Sequence, residues 1–151
     1  MKGLKVHRAK PSNAIDIYAL MKEAGKDGLL PGKPTDKMVQ QYFFSGLINE
    51  LASPYHFWFI GRRGRGFLGF VHGVVVPNRW DGRPELMGVD LVFVTKNRRK
   101  NGIGRKLLDE LKKEAQNIGI TRFEFLCSDE QQAYWEKERG AKKSLNVMKV
   151  E

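Results

Sequence analysis

Residues 98–108 read RRKNGIGRKLL, and this run carries the clearest chemistry in the chain. Gly102 and Gly104 remove side chains where the chain enters a helix, so a ligand can come close to the backbone. The first N–H groups of that helix have no internal partners, and the helix dipole favours an anion beside them. Lys96, Arg98, Arg99, Lys100, Arg105 and Lys106 crowd residues 96–106, with no acidic residue among them. A diphosphate fits this pattern, with each charge-assisted hydrogen bond contributing roughly 1.5–3 kcal/mol. Two familiar glycine-rich phosphate motifs do not fit. G-x-G-x-x-G needs a third glycine where Leu107 stands, and G-x-x-x-x-G-K-S/T occurs nowhere.

Other reactive residues carry weaker signals. His7, His56 and His72 are scattered, with no pair at metal-ligand spacing, so no zinc site and no metal are expected. His72, inside an apolar strand, reads as a satisfied structural residue. Cys127, the single cysteine, reads as a small buried hydrophobe and excludes an internal disulfide framework. Arg62, Arg63 and Arg65 form a solvated hairpin tip, and Tyr55, Phe57, Trp58 and Phe59 supply core.

The 151 residues suit one domain, 1–151, and the 41% hydrophobic and 29% charged residues are ordinary globular composition. The net charge of +10 is concentrated locally, which suits a phosphate-bearing small ligand. Nucleic acid is not expected as a partner, since residues 96–106 contain no aromatic residue to stack on bases. No apolar run approaches the roughly 20 residues that cross a bilayer, so no membrane partner is expected. The start, MKGLKVHRAK, lacks the apolar core of a signal peptide, and a cytoplasmic location follows as the expectation.

The elements that must position these residues can be read in order. Leu4 and Val6 alternate as in a short strand. A helix follows Ser12, its predicted N-cap, with Ile15, Tyr18, Ala19 and Met21 or Lys22 inward. Thr35 caps a second helix reaching about Glu50, with Met38, Val39, Tyr42, Phe43 and Leu47 inward. Residues 55–76 read as a hairpin turning at GRRGRG, and 86–94 as a strand covered on both faces. Ile103, Leu107, Leu108, Leu111, Ala115 and Ile118 set one apolar stripe on a helix that ends at Gly119. A strand at 120–127, a helix at 130–139 and a strand at 145–150 complete the chain. Strand–helix–strand at 86–127 implies a parallel crossover, so the class is α/β with a mixed central sheet flanked by helices.

The glycine segment resembles motif A of the GNAT superfamily of N-acetyltransferases, Q/R-x-x-G-x-G/A, here Arg99, Gly102 and Gly104. Lys96 stands where proline is frequent in that family. The element order is similar over nearly the whole chain. The resemblance implies that the amides of Arg99, Lys100, Asn101, Gly102, Ile103, Gly104 and Arg105 hold the pyrophosphate of acetyl-CoA. It also implies that Val92, Phe93 and Val94 flank the pantetheine arm, and that this strand and the next splay apart to admit the thioester. AYWEKERGA at 133–141 resembles motif B, with one extra residue before Gly140 and Trp135 where the family has tyrosine. Tyr134 is therefore the candidate general acid for the departing thiolate, its register shifted by one residue. A packed aromatic beside the cofactor is the plain alternative.

An amine of pKa near 10.4 is about 99.9% protonated at neutral pH, and only its neutral form attacks a thioester. Transfer needs a base, and the carboxylates on or before the central strand are Glu85 and Asp90. Asp90 shares the strand parity of Val92 and Val94, and Glu85 lies at the strand mouth. The backbone around Val92 would polarise the thioester carbonyl. The expectation is an acetyl-CoA-dependent transfer to a primary amine, with a non-catalytic CoA-binding module as the alternative. A homodimer is common among similar enzymes.

Overall fold

The computed structural model describes residues 3–30, 32–99 and 101–125. The predicted elements beyond Phe125, Cys127 and Tyr134 among them, lie outside the described residues, as does Lys100. Strand β1 (Leu4–Arg8) leads through a 3-10 turn, Pro11–Asn13, into α1 (Ala14–Lys26). Asn13 stands at the N-cap, not Ser12, and its side chain accepts the Lys10 N–H at 3.0 Å. The inward face of α1 is Ala14, Ile17, Leu20, Met21 and Ala24, while Ile15 is 71% exposed. Those buried positions keep helical spacing from Ile17 onwards, so a stripe that starts from Ile15 runs out of phase with the buried face.

Helix α2 (Asp36–Tyr42) starts as expected, with the Thr35 hydroxyl accepting the Met38 N–H at 3.2 Å. A π-helical turn, Phe43–Leu47, joins it to α3 (Ile48–Ala52). The π turn inserts one residue and shifts the register of the stripe. Val39, Leu47 and Leu51 face the core, and Met38 faces solvent.

Strands β2 (His56–Arg63), β3 (Gly66–Pro77), β4 (Pro84–Val94) and β5 (Arg122–Phe125) join β1 in one sheet of order β1-β2-β3-β4-β5. The first four are antiparallel neighbours, and β4 pairs with β5 in parallel across α4 (Ile103–Asn117). The β2–β3 turn is only Gly64 and Arg65, which Gly64 permits with φ +59°. Helices cover both faces of the sheet. Ile17, Leu20, Leu47 and Leu51 pack with Trp58, Ile60, Phe70 and Phe93 on one side. Ile103, Leu107, Leu108 and Leu111 pack with Phe57, Phe59, Val71 and Met87 on the other. The expected single-domain mixed α/β architecture is what the chain adopts.

Gly69 sets how closely β3, β4 and α4 meet. A Cβ there would strike the Phe93 carbonyl oxygen and lie 3.2 Å from Val94 Cα and 3.3 Å from a Leu107 methyl. Backbone cannot step aside as a flexible side chain does. Gly69→Ala is therefore expected to destabilise the fold by roughly 2–3 kcal/mol, lowering Tm by roughly 5–10 °C. Scanning calorimetry checks this, and an unchanged Tm would refute the close approach.

Candidate functional site

Two features meet at β4. At its C-terminal end, the chain leaves Val94, makes a 3-10 turn at Lys96–Arg98 and enters α4 through Gly102. Gly102 has φ +78°, a left-handed conformation that a β-branched side chain resists. No side chain caps this helix, and its first turn contains no acidic residue. Ile103, only 2% exposed, anchors the first turn inside the core. A Cβ on Gly104 would lie 3.7 Å from Val94 and 3.8 Å from Val92, so the helix mouth rests against the end of β4.

Arg99 fixes the loop before that mouth. Its Nε–H donates to the Val94 carbonyl at 2.9 Å, its Nη2 reaches Asp27 Oδ2 at 3.0 Å, and its guanidinium lies 5.6 Å from the Phe93 ring centre. The side chain thus ties the loop to the end of α1. Lys96, Arg98 and Arg105 are exposed, and Lys106 pairs with Glu110 at 2.9 Å.

The second feature is a polar cluster on the opposite face of the sheet. β4 carries one extra residue, Asp90, where the register jumps from His72↔Leu91 to Gly73↔Val89. This β-bulge reverses the expected parity. Val92 and Val94 pack toward α4, whereas Asp90 reaches His72, whose ring lies 4.3 Å from that of Trp58 on the α1–α3 side. His72 Nδ1–H donates to the Asp90 carboxylate at 2.6 Å. His72 Nε2 then faces His56 Nδ1 at 2.9 Å and Glu50 Oε1 at 3.4 Å, and His56 Nδ1 lies 3.0 Å from Glu50 Oε1.

The Tyr42 hydroxyl donates to the other oxygen of Glu50. Burial, then the hydrogen bond to Glu50 and the charges of Glu50 and Asp90, push the Tyr42 phenol well above its ordinary range. It stays a donor at every physiological pH. The π turn makes this contact, since Tyr42 and Glu50 are eight residues apart on either side of it.

Two of the three histidines are thus brought together. His56 and His72 sit on adjacent strands, near the cross-strand pair Trp58↔His72, and Glu50, His56 and His72 converge as a set able to hold a metal ion. Spacing along the chain does not reveal them; alternation on two paired strands could have. His7, by contrast, bonds the Arg8 carbonyl at 3.0 Å. Glu85 is exposed, five residues before Asp90 and so about 17 Å along the strand. Pairing of β4 with β5 runs from Leu86↔Arg122 to Val89↔Phe125, so the expected splay falls outside the described residues.

The acetyltransferase (GNAT) family profile matches residues 17–141. The chain belongs to this family. Membership makes it an acetyl-CoA-dependent N-acetyltransferase, and the solved structures of similar shape agree in fold. One is an aminoglycoside acetyltransferase from an uncultured soil metagenomic sample in complex with sisomicin. It is 14% identical, with a TM-score of 0.74 over 99% of this chain and 96% of that one. Another is a ribosomal-protein-alanine N-acetyltransferase from Brucella melitensis biovar Abortus 2308, 16% identical, with a TM-score of 0.73 over 99% of both chains. A third is a predicted acetyltransferase with acetyl-CoA from Clostridium acetobutylicum, 18% identical, with a TM-score of 0.74 over 98% of this chain and 96% of that one. No curated protein sequence matches this acetyltransferase.

The two glycines of the mouth should respond differently to a side chain. Gly102→Val is expected to abolish the acetyl-CoA-induced rise in Tm, because a valine at φ +78° must distort the turn at a cost of roughly 1–3 kcal/mol. Gly104→Ala meets only ordinary contacts and favours the helix by roughly 1 kcal/mol, so Tm should hold or rise and the KM for acetyl-CoA should change little. An unaltered KM in Gly102→Val would displace the pyrophosphate from this mouth.

Proposed function

We propose that this acetyltransferase moves the acetyl group of acetyl-CoA to a primary amine, of a small molecule or a protein, by direct attack on the thioester. The observation that carries the reading is the bare first turn of α4 resting against the end of β4. There the amides of residues 99–105 hold the pyrophosphate, and residues 92–94 flank the pantetheine arm, with the thioester lying toward Asp90. The amine nitrogen bonds to the thioester carbon, its proton passes to the Asp90 carboxylate directly or through a water, and the carbon–sulfur bond breaks. The β4 backbone near Val92 stabilises the oxyanion, and Tyr134 protonates the departing thiolate.

Asp90 is favoured over Glu85 because it lies four residues from Val94, on the same stretch of β4 that flanks the cofactor. Its bond to His72 orients the carboxylate. The similar structures include enzymes named for aminoglycosides and for a ribosomal-protein alanine, and both kinds of acceptor offer a primary amine. Asp90 supplies negative charge near the reacting centre, which suits an acceptor that arrives as a cation.

Release of free thiol from acetyl-CoA, measured across a panel of amines, tests the reading. At least one primary amine should drive turnover. Asp90→Asn should then lower kcat by roughly 10²-fold or more with the KM for acetyl-CoA unchanged, whereas Glu85→Gln should stay near wild type. A Tm raised by acetyl-CoA with no thiol released by any amine would make the chain a CoA-binding module instead.

A further inference from the structure

We propose that Glu50, His56 and His72 form a binding site for a divalent transition metal, with Zn²⁺ the natural occupant. Two imidazoles and one carboxylate are a familiar zinc ligand set, and in a tetrahedral site with bonds near 2.1 Å the donors stand about 3.4 Å apart. Here the three donors are 2.9, 3.0 and 3.4 Å apart, each from a different element: α3, β2 and β3.

Hydrogen bonding alone serves this triangle poorly. His72 Nδ1–H is committed to Asp90, so its neutral ring presents only a lone pair at Nε2. Glu50 Oε1 presents lone pairs as well. With both rings neutral, a single proton on His56 Nδ1 has to serve both, and the lone pairs of His72 Nε2 and Glu50 Oε1 face one another at 3.4 Å. A cation at the centre engages all three.

The surroundings are those that metal ligands need. Ligating histidines commonly donate their second N–H to a carboxylate, and ligating carboxylates accept hydrogen bonds on their free oxygen. Asp90 does the first for His72, and Tyr42 does the second for Glu50. His72 is buried, while the side chains of His56 and Glu50 are 27% and 21% exposed, which leaves a path for the ion and a fourth position for water. The ion would tie α3 to the β2–β3 pair and hold His72 against Asp90.

Metal binding is read without acetyl-CoA, so its failure leaves the acetyl-transfer reading standing. Full-length protein stripped with a chelator is titrated with Zn²⁺ and, separately, with Co²⁺. Saturation at one ion per chain is expected, with the intense visible absorption of four-coordinate Co²⁺. Zn²⁺ at a hundredfold above its Kd should raise Tm by roughly 5–10 °C. His56→Ala and Glu50→Gln should remove both signals, and Tyr42→Phe should weaken affinity roughly 10–100-fold. His7→Ala should leave them intact. Wild-type protein with no Tm shift and no visible bands would overturn the proposal, as would signals that persist in His56→Ala.

Discussion

β4 is wedged between two layers of hydrocarbon, and the placement of everything reactive follows from that constraint. Phe93 belongs to the cluster beneath α1–α3, while Met87 and Val89 belong to the cluster beneath α4. A carboxylate on such a strand gives up part of its hydration, and a hydrogen-bond donor beside it offsets that loss; the Asp90 side chain keeps 40% of its surface in solvent. Asp90 is accommodated in two ways. The bulge frees it from the alternation that would place it against α4, and the His72 N–H receives it at 2.6 Å. One extra residue therefore turns an acidic group toward the α1–α3 side of the sheet while Val92 and Val94 remain under α4.

The α4 mouth shows a related trade. A side-chain cap at the start of a helix contributes about 1 kcal/mol, and this helix has none. Its anchorage comes instead from Ile103 and Leu107, both buried, and from the close approach that Gly69 allows. Apolar contacts on the inner side hold the turn, so its outer N–H groups need no internal partner. Arg99 completes the arrangement from the loop by binding the last carbonyl of β4 and the end of α1. Substitutions at Asp27 would thus be felt at the mouth without touching a ligand.

The mouth was legible because its signals are local: two glycines, a run of basic residues and a helical stripe all lie between residues 96 and 118. The hairpin and the parallel crossover were legible for the same reason, since turn residues and apolar periodicity report on their own segments. The polar cluster was not. Glu50, His56, His72 and Asp90 come from four elements, and their meeting depends on cross-strand register, on a π turn in the second helix and on a bulge in β4. Each device shifts a stripe by one residue, and a strict period hides all of them. Strict parity groups Asp90 with Val92 and Val94, and only the ladder reveals that Asp90 is itself the extra residue.

Charge explains why the two features can share one strand without interfering. The chain carries a net +10, yet its basic excess near the site is gathered in residues 96–106, beyond the end of β4. The carboxylates of Glu50 and Asp90 lie on the opposite face, and Asp90 is four residues, about 14 Å of strand, from Val94. At physiological ionic strength the screening length is about 8 Å, so fields from exposed charges fade over that separation. A basic mouth and an acidic side chain can thus stand on one strand without neutralising one another. Had the two sets been adjacent, they would have paired with one another, and each ligand would have had to break that pair before binding.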